Sequence, residues 1–278
     1  MTTRNVFMAG LPDAGKTTFI AALWYLVFSR TPGLALSFGS LENVDMAYLD
    51  NLRSQWVQAK KLERTKIGHE KTALINLVAP NGSQLRLSLE DFAGEGFRRM
   101  WTRRRASVKV AEQARNADRH LLLVNVGKVT YPISAGELRN QLAGLPAGEE
   151  AAFDARKCPT AVQVTDVLQQ LIRDPISASP KKIAVALSAW DEVAGDGLSP
   201  AEVLEERLPL LSQYLKSLSR HHEIKLYGLS AQGASYEDPA ARDKVLTVPK
   251  PIDRIVLVED DPNAPTHDLT RMLAWLLD

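Results

Sequence analysis

Short, continuous apolar runs alternate with longer segments of helical periodicity along most of this chain. Residues 5–9 (NVFMA) read as a short buried strand. Residues 15–29 are apolar almost all round, as in a helix covered on every side. Residues 72–79 and 85–89 predict two more strands, the second alternating Leu-Arg-Leu-Ser-Leu so that one face is wet. Asn81-Gly82 between them is a hairpin turn signal, because both residues tolerate positive φ. Farther along, residues 120–126, 183–187 and 224–229 are apolar strands, with helices expected at 97–115, 160–173, 201–219 and 268–277. Apolar strands separated by helices predict a mainly parallel sheet covered on both faces. The expected fold class is α/β: one three-layer domain over residues 1–278, with a single antiparallel hairpin.

Three stretches break the alternation. Residues 30–70 are polar and mixed, with a helix around 44–61, while 127–159 and 234–262 are rich in Gly, Pro, Ala and charged residues. All three are read as insertions into the domain. No internal repeat or heptad run is present.

Composition narrows the function classes. Hydrophobic residues make up 45% and charged residues 24% of the 278, enough for a large core. Thirty-four Lys and Arg against 33 Asp and Glu leave a net charge of +1, so nothing draws the whole molecule to nucleic acid. Cys158 is the only cysteine, which excludes an internal disulfide and suits a reducing cytosol. The first residues lack the features of a secretory signal, and the most apolar run, 19–28, is too short to span a bilayer. The expectation is a soluble cytoplasmic protein. Five histidines without ligand spacing give no protein-bound transition metal.

Residues 10–17, GLPDAGKT, match G-x-x-x-x-G-K-[ST], with a strand predicted before and a helix after. A chance match in a chain of this length is about a 1% event at ordinary glycine usage, so the motif is specific. Gly10 and Gly15 let the backbone curl its N–H groups inward over Asp13, Ala14 and Gly15 and on to Thr18. The helix start adds its positive dipole end. Lys16 would bridge the outer phosphates, and the Thr17 hydroxyl would ligate Mg2+. Pro12 has no N–H to donate, and Asp13 must turn its charge outward.

Three further segments follow predicted strands. Asp91-Phe92-Ala93-Gly94 is a D-x-x-G, in which Asp91 can hold Mg2+ through water and the Gly94 N–H can meet the γ-phosphate. Ser188-Ala189-Trp190-Asp191 and Ser230-Ala231-Gln232 follow two later strands. Ligands of open α/β sheets bind beyond the carboxyl ends of the strands, so the four segments should converge.

With these segments the chain resembles the Ras-like P-loop GTPases, whose later motifs read N/T-K-x-D and S-A-K. The phrases DFAGEGF and SAWDE are similar to the bacterial double-GTPase proteins, adjacent GTPases of conflict or defence systems. The resemblance implies GTP/GDP with Mg2+, Asp191 on the guanine N1 and N2 hydrogens, and Ser230-Ala231 at the guanine O6. Ser188 and Ala189 depart from the Asn/Thr and Lys of the family, and Gln232 replaces a lysine. Trp190 is available to cover the base where the lysine stem is missing.

Lys16, Thr65 and Glu95 are the residues expected at the chemical step. Thr65 is the choice for a Mg2+-sensing threonine, with Thr31 and Thr72 as competitors. Glu95 stands where Ras-like enzymes carry a water-orienting glutamine, and its charge is repelled by the γ-phosphate. Arg98, Arg99, Arg103, Arg104 and Arg105 offer a transition-state arginine or a partner contact, although a solvated helix face accounts for the same run. The leading expectation is a GTP-hydrolysing switch acting with a protein partner, such as a second GTPase. A GTP-binding assembly module with little hydrolysis, and an ATP-binding P-loop protein, are the alternatives.

Overall fold

The computed structural model describes residues 2–62, 74–89, 95–133, 136 and 154–278. Strand β1, Thr3–Ala9, runs into the glycine loop and helix α1, Lys16–Phe28. The Thr31 N–H bonds to Leu26 and the Arg30 N–H to Val27, with Arg30 at φ 50, so α1 stops in a left-handed cap. Within residues 30–70 lies a strand that the polar pattern conceals, β2 (Ser37–Glu42). It is followed by helix α2, Met46–Val57, capped by the Asp45 carboxylate on the Ala47 N–H. Leu49, Leu52 and Trp56 form its buried stripe.

The hairpin follows as β3 (Leu74–Val78) and β4 (Gln84–Ser88). Only Gly82 of the Asn81-Gly82 pair takes positive φ, at 80°; the Asn81 side chain accepts from the Ser83 N–H instead. The single helix expected over 97–115 is two helices, α3 (Glu95–Arg103) and α4 (Val108–Asn116). Arg104 at φ 52 ends the first, and the Ser107 hydroxyl caps the second on the Val110 N–H. Strand β5 is Arg119–Asn125, α5 is Thr160–Ile172 and β6 is Lys182–Ser188.

The helix expected over 201–219 is also broken, into α6 (Pro200–Arg207) and α7 (Pro209–Leu218). Pro209 forces Leu208 out of the helical region, to φ −136 and ψ 55. Strand β7, Glu223–Ser230, is followed by helix α8, Pro239–Leu246, and strand β8, Val256–Val258. Both of the latter lie within residues 234–262, which break the alternation in the sequence. Helix α9, Thr270–Leu277, closes the fold.

The eight strands among the described residues form one sheet in the order β2-β3-β4-β1-β5-β6-β7-β8. The pairs among β4, β1, β5, β6 and β7 are parallel, while β2–β3, β3–β4 and β7–β8 are antiparallel. Successive residues of the central strands feed opposite cores. Val6, Met8, Leu121 and Leu123 pack with α1, α2 and α9, while Phe7, Ala9, Leu122 and Val124 pack with α3 to α7. This is the three-layer α/β architecture expected, and it brings the carboxyl ends of β1, β5, β6 and β7 to one edge. Among the described residues, no helix is long and apolar enough to cross a membrane.

Candidate functional site

The glycine loop emerges from β1 and is pinned on three sides. Gly10 admits no side chain, since a Cβ there would lie 2.9 Å from the Leu123 carbonyl oxygen. Gly15 takes φ 84, which only glycine adopts freely, and faces Ser188 on β6. The Ser188 hydroxyl donates to the Ala14 carbonyl at 2.9 Å, and the Asn125 amide donates to the Asp13 carbonyl at 2.9 Å. Ser188 thus fastens the loop from the end of β6. Asp13 is exposed, with its backbone in the left-handed region at φ 64. Lys16 is 3% exposed, and its ammonium donates to the carbonyls of Gly10 at 2.5 Å and Leu11 at 3.0 Å. Those carbonyls hold the cation inside the curl of the loop.

Ala189 takes the left-handed region at φ 57 and turns the chain at the end of β6 so that Asp191 faces the same side. The Ser230 hydroxyl donates to Asp191 Oδ1 at 2.5 Å and accepts from the Gly233 N–H at 3.0 Å. Ser230 is 1% exposed, so it stands behind Asp191 and aligns it. Trp190 does not cover a base: it is 2% exposed and packs into the opposite core. Gly228 on β7 makes room for it, since a Cβ there would lie 2.3 Å from the indole ring.

These pieces border one cavity of about 360 Å3, within the ~300–1,000 Å3 of small-molecule sites. Asp13, Ala14, Gly15, Lys16, Thr17 and Thr18 line one side, and Asp191, Ala231 and Gln232 the other. Glu95 opens α3 and pairs with Arg98 at 3.6 Å; it does not line the cavity. Thr65, Asp91 and Gly94 lie outside the described residues. Among the described residues, no group of three or more His, Cys, Asp or Glu forms a metal cluster.

Several lining residues escaped the sequence reading. Lys61, Lys128, Tyr236 and Glu237 lie within the three stretches that break the alternation of strands and helices. Glu237 bonds to Lys61 at 2.7 Å and to Lys128 at 3.1 Å, joining three separate segments at the cavity. The Lys61 and Lys128 ammonium groups hold its carboxyl down to about 2. Tyr236 donates to the Gln232 carbonyl, and burial above all pushes its hydroxyl up to about 12. Asn125 had a signal, because it ends an apolar parallel strand where ligands of such sheets bind.

The sequence profile of one protein family, Double-GTPase 1, matches residues 7–276. The chain belongs to the Double-GTPase 1 family. Membership supports GTP binding. No curated protein sequence matches this Double-GTPase 1 chain. Solved structures similar to it include Era from Aquifex aeolicus bound to GDP and AlF4−, with 16% identity and a TM-score of 0.36 over 90% of this chain and 58% of Era. The nucleolar GTP-binding protein 1 of Plasmodium falciparum has 13% identity and a TM-score of 0.41, over 88% of this chain and 86% of that one. Sup35 complexed with GDP has 15% identity and a TM-score of 0.35, over 84% of this chain and 38% of that one. The chain therefore spans less than two thirds of both Era and sup35.

Proposed function

We propose that this member of the family is a GTP-binding and GTP-hydrolysing switch that uses Mg2+ and works with a protein partner in the cytoplasm. The observation that carries the reading is one shared cavity: Lys16 and Thr17 on one wall, Asp191 and Ala231 on the other. In the proposed complex the Lys16 ammonium exchanges the Gly10 and Leu11 carbonyls for oxygens of the outer phosphates. The loop N–H groups and the start of α1 supply the rest of the anion site. The Thr17 hydroxyl, a hard oxygen donor beside Lys16, fits Mg2+, and Asp91 and Thr65 are proposed to complete its ligands. When bound, the ion neutralises charge on the β- and γ-phosphates. Asp191, held by Ser230, accepts from the guanine N1 and N2 hydrogens, and the Ala231 N–H meets O6.

Hydrolysis is attack of water on the γ-phosphorus while the bond to the bridging oxygen breaks, leaving GDP and phosphate. Glu95, paired with Arg98 and outside the cavity lining, supports the second reading: a GTP-loaded assembly subunit that barely hydrolyses. The partner proposed for either role is a second GTPase of a bacterial conflict or defence system. Two measurements decide: the nucleotide released from purified protein by denaturation, then single-turnover hydrolysis, with Lys16→Ala as the binding-deficient control. Guanine nucleotide with turnover supports the switch, and guanine nucleotide without turnover supports the assembly subunit. Adenine nucleotide, or binding that survives Lys16→Ala, sinks the assignment.

A further inference from the structure

Helix α2 does not line the cavity, yet it reaches the loop that closes the base side. Trp56, in the last turn of α2, is fully buried, and its indole N–H donates to the Ala231 carbonyl at 2.8 Å. Tyr25 of α1 packs on the same ring with centroids 4.9 Å apart. The Arg254 guanidinium lies 5.9 Å from the ring and donates through Nη1 to the Val57 carbonyl at 2.9 Å. The Arg254 backbone also supports the base loop. Gly233, at φ 85, sits close enough that a Cβ there would lie 3.2 Å from the Arg254 carbonyl oxygen. Two buried side chains therefore tie the end of α2 to residues 231–233.

We propose that Trp56 is a positioning residue for purine selection, acting through Ala231; the inference rests on the guanine reading above. Holding the Ala231 carbonyl fixes the plane of the 231–232 peptide, and the Ala231 N–H is joined to that plane through only two soft dihedrals, so its range is narrowed. A buried carbonyl left without its donor carries a full desolvation penalty, which keeps the bond in place. Asp191 has a different support, the Ser230 hydroxyl. The two edges of the base are thus read by groups with separate anchors. Trp56 governs the 6-position through Ala231, and Ser230 governs the N1 and 2-amino edge through Asp191.

The test measures affinities of GTP, ITP, ATP and inorganic triphosphate for the wild-type chain and for Trp56→Phe, by competition against a fluorescent nucleotide. ITP and ATP both lack the 2-amino group and differ at the 6-position and at N1, whose hydrogen Asp191 accepts. Asp191 is the same in both chains, so the change in their ratio on Trp56→Phe reports the 6-position, while GTP against ITP reports the 2-amino group alone. Losing one buried hydrogen bond should lower the ITP-over-ATP preference about tenfold, while the GTP-over-ITP preference and triphosphate affinity hold within about twofold. An unchanged ITP-over-ATP ratio, or equal loss for all four ligands, overturns the proposal. A wild-type chain that does not prefer ITP to ATP overturns the guanine reading with it. If Trp56→Phe does not fold, the unmodified chain still decides through the NMR signal of the Trp56 indole N–H. That signal should shift on GTP and stay put on inorganic triphosphate. Equal movement with both, or with neither, overturns the inference.

Discussion

Asp191 and His120 show how single side chains acquire their roles from their neighbours. Asp191 accepts from Ser230 through one oxygen, and asparagine keeps an oxygen able to accept the same bond. Asp191→Asn should therefore hold its position while replacing an acceptor with an amide donor. GTP affinity should fall by about 10- to 100-fold, the scale of hydrogen bonds to a charged group, and xanthosine triphosphate should gain relative to GTP. Competition titration checks this, and an unchanged preference for GTP means that Asp191 does not meet the base. His120 is 2% exposed, with Nε2 on the Ala114 carbonyl and its ring 5.3 Å from Phe7. Burial is the main cause that pushes its pKa down from 6.5 to about 4. The unfolded chain thus takes up the proton first as pH falls. Stability is complete above pH 6.5 and should drop by about 3 kcal/mol on reaching pH 4. Urea unfolding from pH 7 to 4 should show that loss in the wild type, and His120→Phe should flatten it.

At the scale of elements, what matters is how segments outside the regular alternation close around the cavity. Lys61 follows α2, Lys128 follows β5 and Glu237 precedes α8, yet one carboxylate joins them. All three side chains are more than half exposed, so salt should screen the clasp. Glu237→Gln should release bound GDP about two- to fivefold faster, in line with a pair of modest surface interactions. Stopped-flow release of a fluorescent GDP analogue from 50 to 500 mM salt checks it. The wild type should accelerate with salt and the variant should not; identical rates would mean the clasp bears no strain when nucleotide leaves. Because Glu237 stays ionised down to about pH 2, this contact should survive at pH 4, where His120 has begun to charge.

On the scale of the whole molecule, the question is whether the chain completes its own catalytic site. Glu95 is engaged with Arg98, Arg104 is paired with Asp166, and Arg99, Arg103 and Arg105 are exposed on or just after α3. None of these residues lines the cavity. As a prediction, the isolated chain should hydrolyse GTP slowly, and a partner supplying an arginine should raise the rate by a factor of about 10³–10⁵. Single-turnover rates with and without candidate GTPases check it, repeated with Glu95→Gln and with each arginine changed to alanine. Fast turnover without a partner that survives every change would point to a self-sufficient hydrolase.

The glycine loop, the parallel strands and the α/β class were all present in the linear pattern. Phosphate-loop chemistry depends on local spacing, and buried parallel strands are continuous apolar runs. Helix breaks at Arg104 and Leu208 were harder to see, because each pair of helices continues one amphipathic pattern across a cap or a proline. β2 was hidden because an edge strand with one wet side carries little hydrophobic signal. Its pairing instead uses Gly39, at the register shift, and Asn76, whose amide reaches Ser40 and Glu42. Side-chain direction outside the alternating strand was not legible. Trp190 and Asp191 are neighbours in sequence, yet one fills the core over Gly228 while the other lines the cavity. Likewise, no local pattern links Trp56 to Ala231, 175 residues away. The sequence alone determined which segments can hold phosphate and which strands can be buried, because those properties belong to a few consecutive residues. Only the tertiary structure decided which side chains support the base loop, because that depends on the packing of helices far apart in the chain.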